Sequence, residues 1–423
     1  MIPDMSREPR RQYGNIKSPW TDYAVYSFPD ASRISHCDRQ ALMDAMNSII
    51  AINWKATEPH WTAASSPFDS KFSLILVYDG SGLAAFSVYR KLMISGGLAI
   101  YRSGTEVLPG HQGRGLYGFF TTEVLKSSGA ADGTGILYGT LEVPNSKGPF
   151  PAALLIAGSG DEDRDGNSAQ LKGKNNCLRL IAEALASRGI ASLRYDQRGV
   201  AASRDAVLMD AEHLHFDTYV DDAVGWSEYL RKDSRFRGLV IIGHSQGSLT
   251  AMLAAQKLSA NGYVSIAGLG QPGGQTILRQ IRAQGTPPDM MKPVEDIVKT
   301  LEEGGRVESV PAGLASLFRP SIQPYLISYF KYDPVREIGK LTVPVLILQG
   351  TTDLTVGVND AKLLAAGNPS AKLVLIEGMN HVLKEVPAEK EKQLASYSDA
   401  SLPLAGKLVE EIAGLIHGLK AAQ

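Results

Sequence analysis

From about residue 135 onward, continuous apolar runs alternate with segments whose apolar residues recur at helical spacing. Most of the runs are short and end in glycine or a polar residue, which is typical of strands buried on both faces of a sheet. Strands that alternate with amphipathic helices predict an α/β fold with a doubly wound, mainly parallel sheet. The predicted strands are ILYGTLEVP (136–144), PAALLIAG (151–158), IASLRYD (190–196), GLVIIGHS (238–245), YVSIAGLG (263–270), PVLILQG (344–350) and AKLVLIEG (371–378).

Residues 274–338 interrupt this alternation with a connection far longer than those usual in compact domains. The segment contains helical patterns at 293–305 and 316–330. We predict a helical cap laid over the carboxyl edge of the sheet, where ligands of open α/β sheets bind. Its large side chains either line a substrate pocket or form the core of the cap itself. They are Met290, Met291, Phe318, Tyr325, Tyr329 and Phe330.

The first 128 residues show a different pattern. Residues 72–94 predict two strands joined by a DGSG turn, and residues 97–128 predict a strand, a loop and a helix. The small, glycine-rich stretch SSGAADGT (127–134) is typical of a linker. We predict two domains, a smaller α+β domain over residues 1–128 and the α/β domain over residues 135–423.

The charge balance, the cysteines and the apolar runs of the chain argue against several classes of partner. The 423 residues include 43 basic and 44 acidic ones, a formal net charge of −1, whereas nucleic-acid-binding surfaces are basic. We therefore expect no nucleic-acid partner. The two cysteines, Cys37 and Cys177, fit neither a disulfide framework nor a metal-ligand pattern. Because the chain shows neither a secretory signal nor an apolar run of about 18 residues, we expect a cytoplasmic protein without membrane contact.

The segment LVIIGHSQGSLTAM (239–252) carries the candidate nucleophile. Its centre, Gly243-His244-Ser245-Gln246-Gly247, fits the pattern G-x-S-x-G between a predicted strand and a predicted helix. A turn this tight requires glycine on both sides of the serine, and it lifts the serine oxygen to the top of the sheet. The N-terminus of the following helix points at the same place and favours negative charge there.

A serine hydroxyl needs a base, and the base in turn needs an acid that orients it. Past Ser245 the chain holds only two histidines, His381 after the last predicted strand and His417 inside the terminal helix. Asp353 follows the preceding strand, which gives the chain order serine, acid, histidine. We predict that Ser245, Asp353 and His381 form a catalytic triad and that His417 is a surface or packing residue.

The charge that develops on a substrate carbonyl oxygen needs two backbone N–H donors. One is expected from Gln246, and the other from the loop after residues 151–158, with Ser159 preferred and Gly158 next. The polar stretch 161–167 that follows is expected to be salt-bridged and to hold this backbone rigid. It lacks the glycine and distal glutamate of a calcium loop, so we predict no metal. Asp196 and Arg198 are expected to form a structural turn.

Several motifs together resemble the α/β-hydrolase superfamily from about residue 135 to the C-terminus. Within it they resemble bacterial carboxylesterases related to the esterase D of Thermotoga. The resemblance implies hydrolysis of short-chain esters by Ser245, Asp353 and His381 without a metal or organic cofactor. One departure is that Ala157, instead of histidine, precedes Gly158. The motifs are LLIAGSGDEDRDGN (154–167), LRYDQRGVAAS (193–203), GHSQGS (243–248), GTTDLTVG (350–357) and GMNHVL (378–383).

The N-terminal region resembles a truncated fold of the GCN5-related acetyltransferases. Gln112-Gly113-Arg114-Gly115 opens a predicted helix, as does the loop that holds the coenzyme A pyrophosphate in that family. Tyr117 stands where the family usually has a small residue, and the chain reaches ILYGTLEVP with no room for the later strand and helix.

These patterns leave several functions open. The first is a carboxylesterase, and the second is a bifunctional acyltransferase that uses acetyl-CoA at the N-terminal domain. The third pairs a working hydrolase with a noncatalytic N-terminal domain that gates the substrate or forms a homodimer. Thioester, lactone, peptide and polyester substrates also remain open, because specificity depends on the pocket and cap rather than on the triad.

Overall fold

The computed structural model describes residues 23–28, 30–54, 59–63, 65–79, 81–94, 97–112, 116, 120, 137–206, 214–258, 260–283 and 285–419. The chain divides into two compact units, Met1–Thr134 and Gly135–Gln423. We call them the N-terminal unit and the α/β unit. Among the described residues, no helix combines the length and the apolar character needed to cross a bilayer.

The N-terminal unit contains a four-stranded antiparallel sheet in the order β1-β2-β3-β4. The strands are β1 (Ala24–Phe28), β2 (Phe72–Asp79), β3 (Gly82–Ile94) and β4 (Gly97–Val107), and α1 (His36–Trp54) lies between β1 and β2 in sequence. Alternate residues of β2 enter two different cores, since successive side chains of a strand point to opposite faces. Leu74 and Leu76 pack with Met46 of α1, whereas Ile75 and Val77 pack on the other face.

The predicted DGSG turn joins β2 to β3, and a carboxylate oxygen of Asp79 accepts the N–H groups of Ser81 and Gly82. The predicted pyrophosphate-binding residues Gly113 to Gly115, together with Tyr117, lie outside the described residues. Just before them, His111 receives a hydrogen bond from the Tyr23 hydroxyl at 2.6 Å and lies 3.2 Å from the other oxygen of Asp79. The resemblance to acetyltransferases therefore stays a prediction.

The α/β unit is built on a seven-stranded sheet in the order β11-β10-β9-β8-β6-β7-β5. Only β5, at one edge, runs antiparallel to its neighbour, so the predicted mainly parallel α/β sheet is confirmed. The strands are β5 (Gly139–Glu142), β6 (Phe150–Ile156), β7 (Ala191–Tyr195), β8 (Phe236–His244), β9 (Gly262–Ile266), β10 (Val345–Gly350) and β11 (Lys372–Ile376).

Helices follow most strands and bury their apolar stripes against the sheet. Ile181 of α2 and Leu408 and Ile412 of α12 share one core with Val240 and Ile242 of β8. The helices outside the long connection are α2 (Cys177–Ala186), α3 (Phe216–Lys232), α4 (Gly247–Lys257), α10 (Val358–Gly367), α11 (Lys390–Ser396) and α12 (Gly406–Gly418).

The long connection between β9 and β10 is helical. It contains α5 (Gly273–Ala283), α6 (Pro288–Glu302), α7 (Ala315–Phe318), α8 (Gln323–Phe330) and α9 (Pro334–Ile338), and we call residues 273–338 the helical insertion. Phe318, Tyr329, Phe330 and Met291 are buried, Met290 is 58% exposed, and Tyr325 is half-buried. Most of the large side chains of the predicted cap are therefore buried. The amide of the buried Gln323 braces the insertion by donating to the carbonyls of Val307 and Phe318.

Candidate active site

A sharp turn between β8 and α4 presents Ser245. The strand ends at His244 and the helix begins at Gly247, so only Ser245 and Gln246 connect them. Ser245 has φ of 54°, in the left-handed region that residues other than glycine rarely adopt. A Cβ at Gly243 would meet the carbonyl oxygen of Gly247, and one at Gly247 would meet that of Ala157. The two glycines are thus required by the close approach of backbone on both sides.

Asp353 and His381 lie on two neighbouring loops. Gly350, the last residue of β10, pairs with Ile376 of β11, so the loops that follow these strands start side by side. His381 Nδ1–H donates to Asp353 Oδ2 at 2.8 Å. The other carboxylate oxygen of Asp353 accepts the N–H groups of Thr355 and Val356 at 2.8 and 2.9 Å. Both sides of the carboxylate are therefore fixed.

The mutual attraction of Asp353 and His381 favours the carboxylate form of the first and the imidazolium form of the second. Burial by itself raises the pKa of Asp353, but the charge and hydrogen bond of His381, together with the backbone N–H groups of Val356 and Thr355, outweigh burial, and the net pKa falls below its usual value. Burial by itself lowers the pKa of His381, but the carboxylate of Asp353, with a further contribution from Glu162, raises it overall. Because Nδ1 is bound to Asp353, Nε2 is the nitrogen left to exchange a proton with a serine.

His244 holds the His381 loop in place, a role that the sequence pattern did not indicate. Its Nε2–H donates to the carbonyl oxygen of His381 at 2.9 Å. Burial, together with the charge of His381, lowers the pKa of His244 to about 3. His244 is therefore neutral near neutral pH, and its 3.9 Å approach to the carboxylate of Glu162 is not an ion pair. The two imidazole rings lie 4.9 Å apart. Because His244 and His381 are 137 residues apart in the sequence, the contact forms only in the folded chain.

The loop after β6 approaches the serine at Gly158. A Cβ at Gly158 would lie 3.2 Å from Ser245 Cβ. The Gly158 N–H is already engaged, because it donates to the carboxylate of Glu162 at 3.0 Å. By contrast, no described residue accepts a hydrogen bond from the N–H of Ser159 or of Gln246. Ser159 is thus a better candidate donor than Gly158.

Ion pairs and backbone contacts brace the polar stretch 161–167. Arg164 binds the buried Asp196 through two side-chain hydrogen bonds, and Asp165 pairs with Arg194 at 2.7 Å. Asp163 accepts the backbone N–H groups of residues 165 and 167. Within the described part of the chain, no group of three or more His, Cys, Asp or Glu side chains is arranged to hold a metal ion.

The helical insertion reaches the turn after the serine. The hydroxyl of Tyr325, on α8, donates to Gln246 Oε1 at 2.8 Å. Tyr325 also packs edge-on against Tyr219 of α3. His417 lies elsewhere, on the exposed surface of α12, where its Nε2 donates to the carbonyl oxygen of Arg188. The structure therefore brings Gln246 and Tyr325 together and gives His417 a surface position.

The raised pKa of His381 predicts a pH dependence. Only a neutral imidazole accepts the serine proton, so kcat/KM should rise with pH through an apparent pKa above the usual 6.5. Glu162→Gln removes one of the carboxylates that raise this pKa and should move the limb to lower pH. The measurement is kcat/KM across about pH 4 to 9. The exposed Glu183→Gln serves as a control, and a limb that Glu162→Gln leaves unmoved would contradict the electrostatic argument.

Comparison with known proteins assigns the family. The model of the Alpha/beta hydrolase family matches residues 153–395, and the chain belongs to that family. A curated relative, the esterase EstD of Thermotoga maritima, is 27% identical over 268 residues, which cover 61% of this chain and 61% of that esterase. The chain thus spans less than two thirds of that relative.

Two solved structures are similar to about two thirds of the chain. Est1E from Butyrivibrio proteoclasticus, determined with ferulic acid bound, is 18% identical, with 66% of this chain and 92% of that chain covered and a TM-score of 0.43. A thermophilic esterase from Thermogutta terrifontis, determined with malate bound, is 14% identical, with 66% and 94% covered and a TM-score of 0.40.

Proposed function

We propose that the α/β unit is a serine esterase that hydrolyses carboxylic esters through an acyl-enzyme intermediate. The observation that carries the proposal is the 2.8 Å hydrogen bond from His381 Nδ1 to Asp353, combined with the left-handed backbone of Ser245 at the sharp turn. Membership of the alpha/beta hydrolase family and the similarity to a named esterase support the same chemistry.

In this mechanism, His381 Nε2 takes the hydroxyl proton as Ser245 Oγ attacks the ester carbonyl carbon. The resulting imidazolium is stabilised by Asp353, which stays ionised. His381 then gives the proton to the departing alcohol oxygen, and the C–O bond to the alcohol breaks. Water attacks the acyl-serine in the same way, with His381 again taking and returning the proton, which releases the acid and restores Ser245.

The negative charge on the carbonyl oxygen is proposed to fall between the N–H groups of Ser159 and Gln246. Each lacks a protein acceptor among the described residues, and each lies on a loop that begins at a strand end beside the serine. The Tyr325 hydroxyl bound to the Gln246 side chain then holds the helical insertion close to the acyl group.

We propose that the helical insertion caps the site and favours short acyl chains. Most of its large side chains are buried, and we expect such a packed cap to limit the length of the acyl chain. Across p-nitrophenyl esters from acetate to palmitate, kcat/KM should be highest for the short acyl chains. A panel with acyl-CoA, lactone, peptide and polyester substrates separates esterase from the other hydrolase activities. Faster hydrolysis of palmitate than of butyrate would contradict a closed cap, and the absence of any ester hydrolysis would contradict the proposed function.

For the N-terminal unit we propose assembly or substrate gating rather than acetyl transfer. Among the described residues, the four-stranded sheet ends in β1 and β4, and a strand edge without a neighbour favours pairing with a partner, such as the same edge of a second chain. We expect no heat of binding when acetyl-CoA at micromolar concentrations is titrated into the full-length protein. Coenzyme A without the acetyl group is the control, and a stoichiometric acetyl-CoA isotherm would contradict this prediction.

A further inference from the structure

The backbone of residues 157–159 is held by side chains from two other segments. Gln197, two residues past the end of β7, donates through Nε2 to the carbonyl oxygens of Ala157 at 3.0 Å and of Gly158 at 3.4 Å. Glu162 accepts the Gly158 N–H at 3.0 Å. The carbonyl oxygens of Ala157 and Gly158 therefore both face the Gln197 amide, and the N–H of Gly158 faces the Glu162 carboxylate.

These contacts, together with the planar geometry of the peptide group, determine where the Ser159 N–H points. In a planar trans peptide the C=O and the N–H point to opposite sides. The Gly158 carbonyl and the Ser159 N–H belong to one peptide, so a carbonyl turned toward Gln197 turns that N–H away from Gln197. Gly158 itself lies against Ser245, where a Cβ would come within 3.2 Å of the serine Cβ.

An ion pair between Arg164 and Asp196 connects the segment that carries Glu162 with the segment that carries Gln197. Asp196, which precedes Gln197, is fully buried and accepts hydrogen bonds from the backbone N–H and the guanidinium of Arg164, both at 2.7 Å. Arg164 lies two residues past Glu162. An ion pair with several hydrogen bonds and little exposure holds its geometry far better than an exposed pair. The Glu162 and Gln197 segments therefore form one braced frame around residues 157–159.

We propose that Gln197 and Glu162 are positioning residues that hold the Gly158–Ser159 peptide with its N–H toward the carbonyl oxygen of the substrate. This inference rests on the proposed esterase function and adds the frame that forms its oxyanion hole. The residue types fit the task, because an amide supplies N–H donors for two carbonyls and a carboxylate accepts one N–H. A glutamate at 197 would set negative oxygens against those carbonyls.

The frame predicts a specific kinetic signature. Oxyanion donors act on the tetrahedral state more than on the bound ester, so their loss lowers kcat with little change in KM. Gln197→Ala and the nearly isosteric Gln197→Glu should each lower kcat for the preferred p-nitrophenyl ester by about 10- to 100-fold, with KM within about threefold. Binding of a trifluoromethyl ketone, which forms a tetrahedral adduct with the serine, should weaken by a similar factor.

Glu162 provides an independent pair of variants. Glu162→Ala removes the acceptor for the Gly158 N–H, whereas the amide oxygen of Glu162→Gln restores one. On the pH plateau, Glu162→Gln should therefore recover most of the kcat and ketone affinity lost in Glu162→Ala. Gln256→Ala is the matched control, because the Gln256 amide also donates to a backbone carbonyl, that of Glu337, away from the site. It should change the melting temperature but not the ketone affinity.

The experiment measures kcat, KM, ketone affinity and melting temperature for these variants and the unaltered protein. The inference is supported if ketone affinity falls with kcat in the Gln197 variants and returns in Glu162→Gln. It is wrong if folded Gln197 variants keep both quantities, or if Glu162→Gln is as impaired as Glu162→Ala; in either case the esterase function stands. An unaltered protein that neither hydrolyses the ester nor binds the ketone would overturn both proposals.

Discussion

Ser245→Ala should lower kcat/KM for the preferred ester by about 10⁴- to 10⁶-fold, because loss of the nucleophile leaves only binding and oxyanion stabilisation. The fold should persist, since serine and alanine are close in volume and the turn is set by Gly243 and Gly247. The measurement is steady-state hydrolysis by freshly purified protein, with circular dichroism as the check on folding.

An exposed serine provides the matched control for this substitution. Ser187, at the end of α2, lies on the surface, and its hydroxyl bonds only to near neighbours, donating to the carbonyl of Ala184 and accepting from the side chain of Arg188. Ser187→Ala should hydrolyse the ester at the rate of the unaltered protein. If a folded Ser245→Ala variant retained near-normal turnover, Ser245 would not be the nucleophile and another hydroxyl would have to be sought.

Asp353→Asn should lower kcat/KM by about 10⁴-fold. One oxygen of Asp353 accepts two backbone N–H groups, so the amide oxygen of asparagine will take that place and turn its NH₂ toward His381. His381 Nδ1 must then accept that hydrogen bond, and the imidazole proton moves to Nε2. An Nε2 that already carries a proton cannot take another from Ser245.

The control for this variant is Asp333→Asn. Asp333 caps α9 by accepting the N–H of Val335, and asparagine caps helices equally well. Asp333→Asn should therefore keep both activity and stability. Full activity in Asp353→Asn would mean that a different acid orients His381, and the aspartate loop after β10 would lose its proposed role.

Much of the α/β fold was predictable because its signals are local. Runs such as PVLILQG are apolar at every position only when both faces of a strand are covered, and the structure shows β10 buried throughout. The N-terminal unit was predicted less completely. The first strand and α1 were not predicted, although Leu42, Met46 and Ile49 of α1 recur at helical spacing and are buried. The many polar residues between them weakened that signal.

In the candidate site, the residues that could be predicted are those that follow strand ends in the chain order serine, acid, histidine. Ser245, Asp353 and His381 each lie just past a strand, and parallel strands bring such positions to one edge of the sheet. The contacts that support them join distant segments. Gln197 is 40 residues from Ala157, and Tyr325 is 79 residues from Gln246. No periodicity or motif encodes such pairs, because they depend on how the helical insertion and the loops pack.

The most direct test of the central claim is to treat the protein with a fluorophosphonate and locate the adduct by peptide mass spectrometry. The reagent reacts with a serine only when a neighbouring base activates it. The proposed mechanism predicts one adduct per chain, on Ser245, that forms in step with the loss of esterase activity and not in His381→Ala. An adduct on another residue, or full inactivation with Ser245 unmodified, would contradict it.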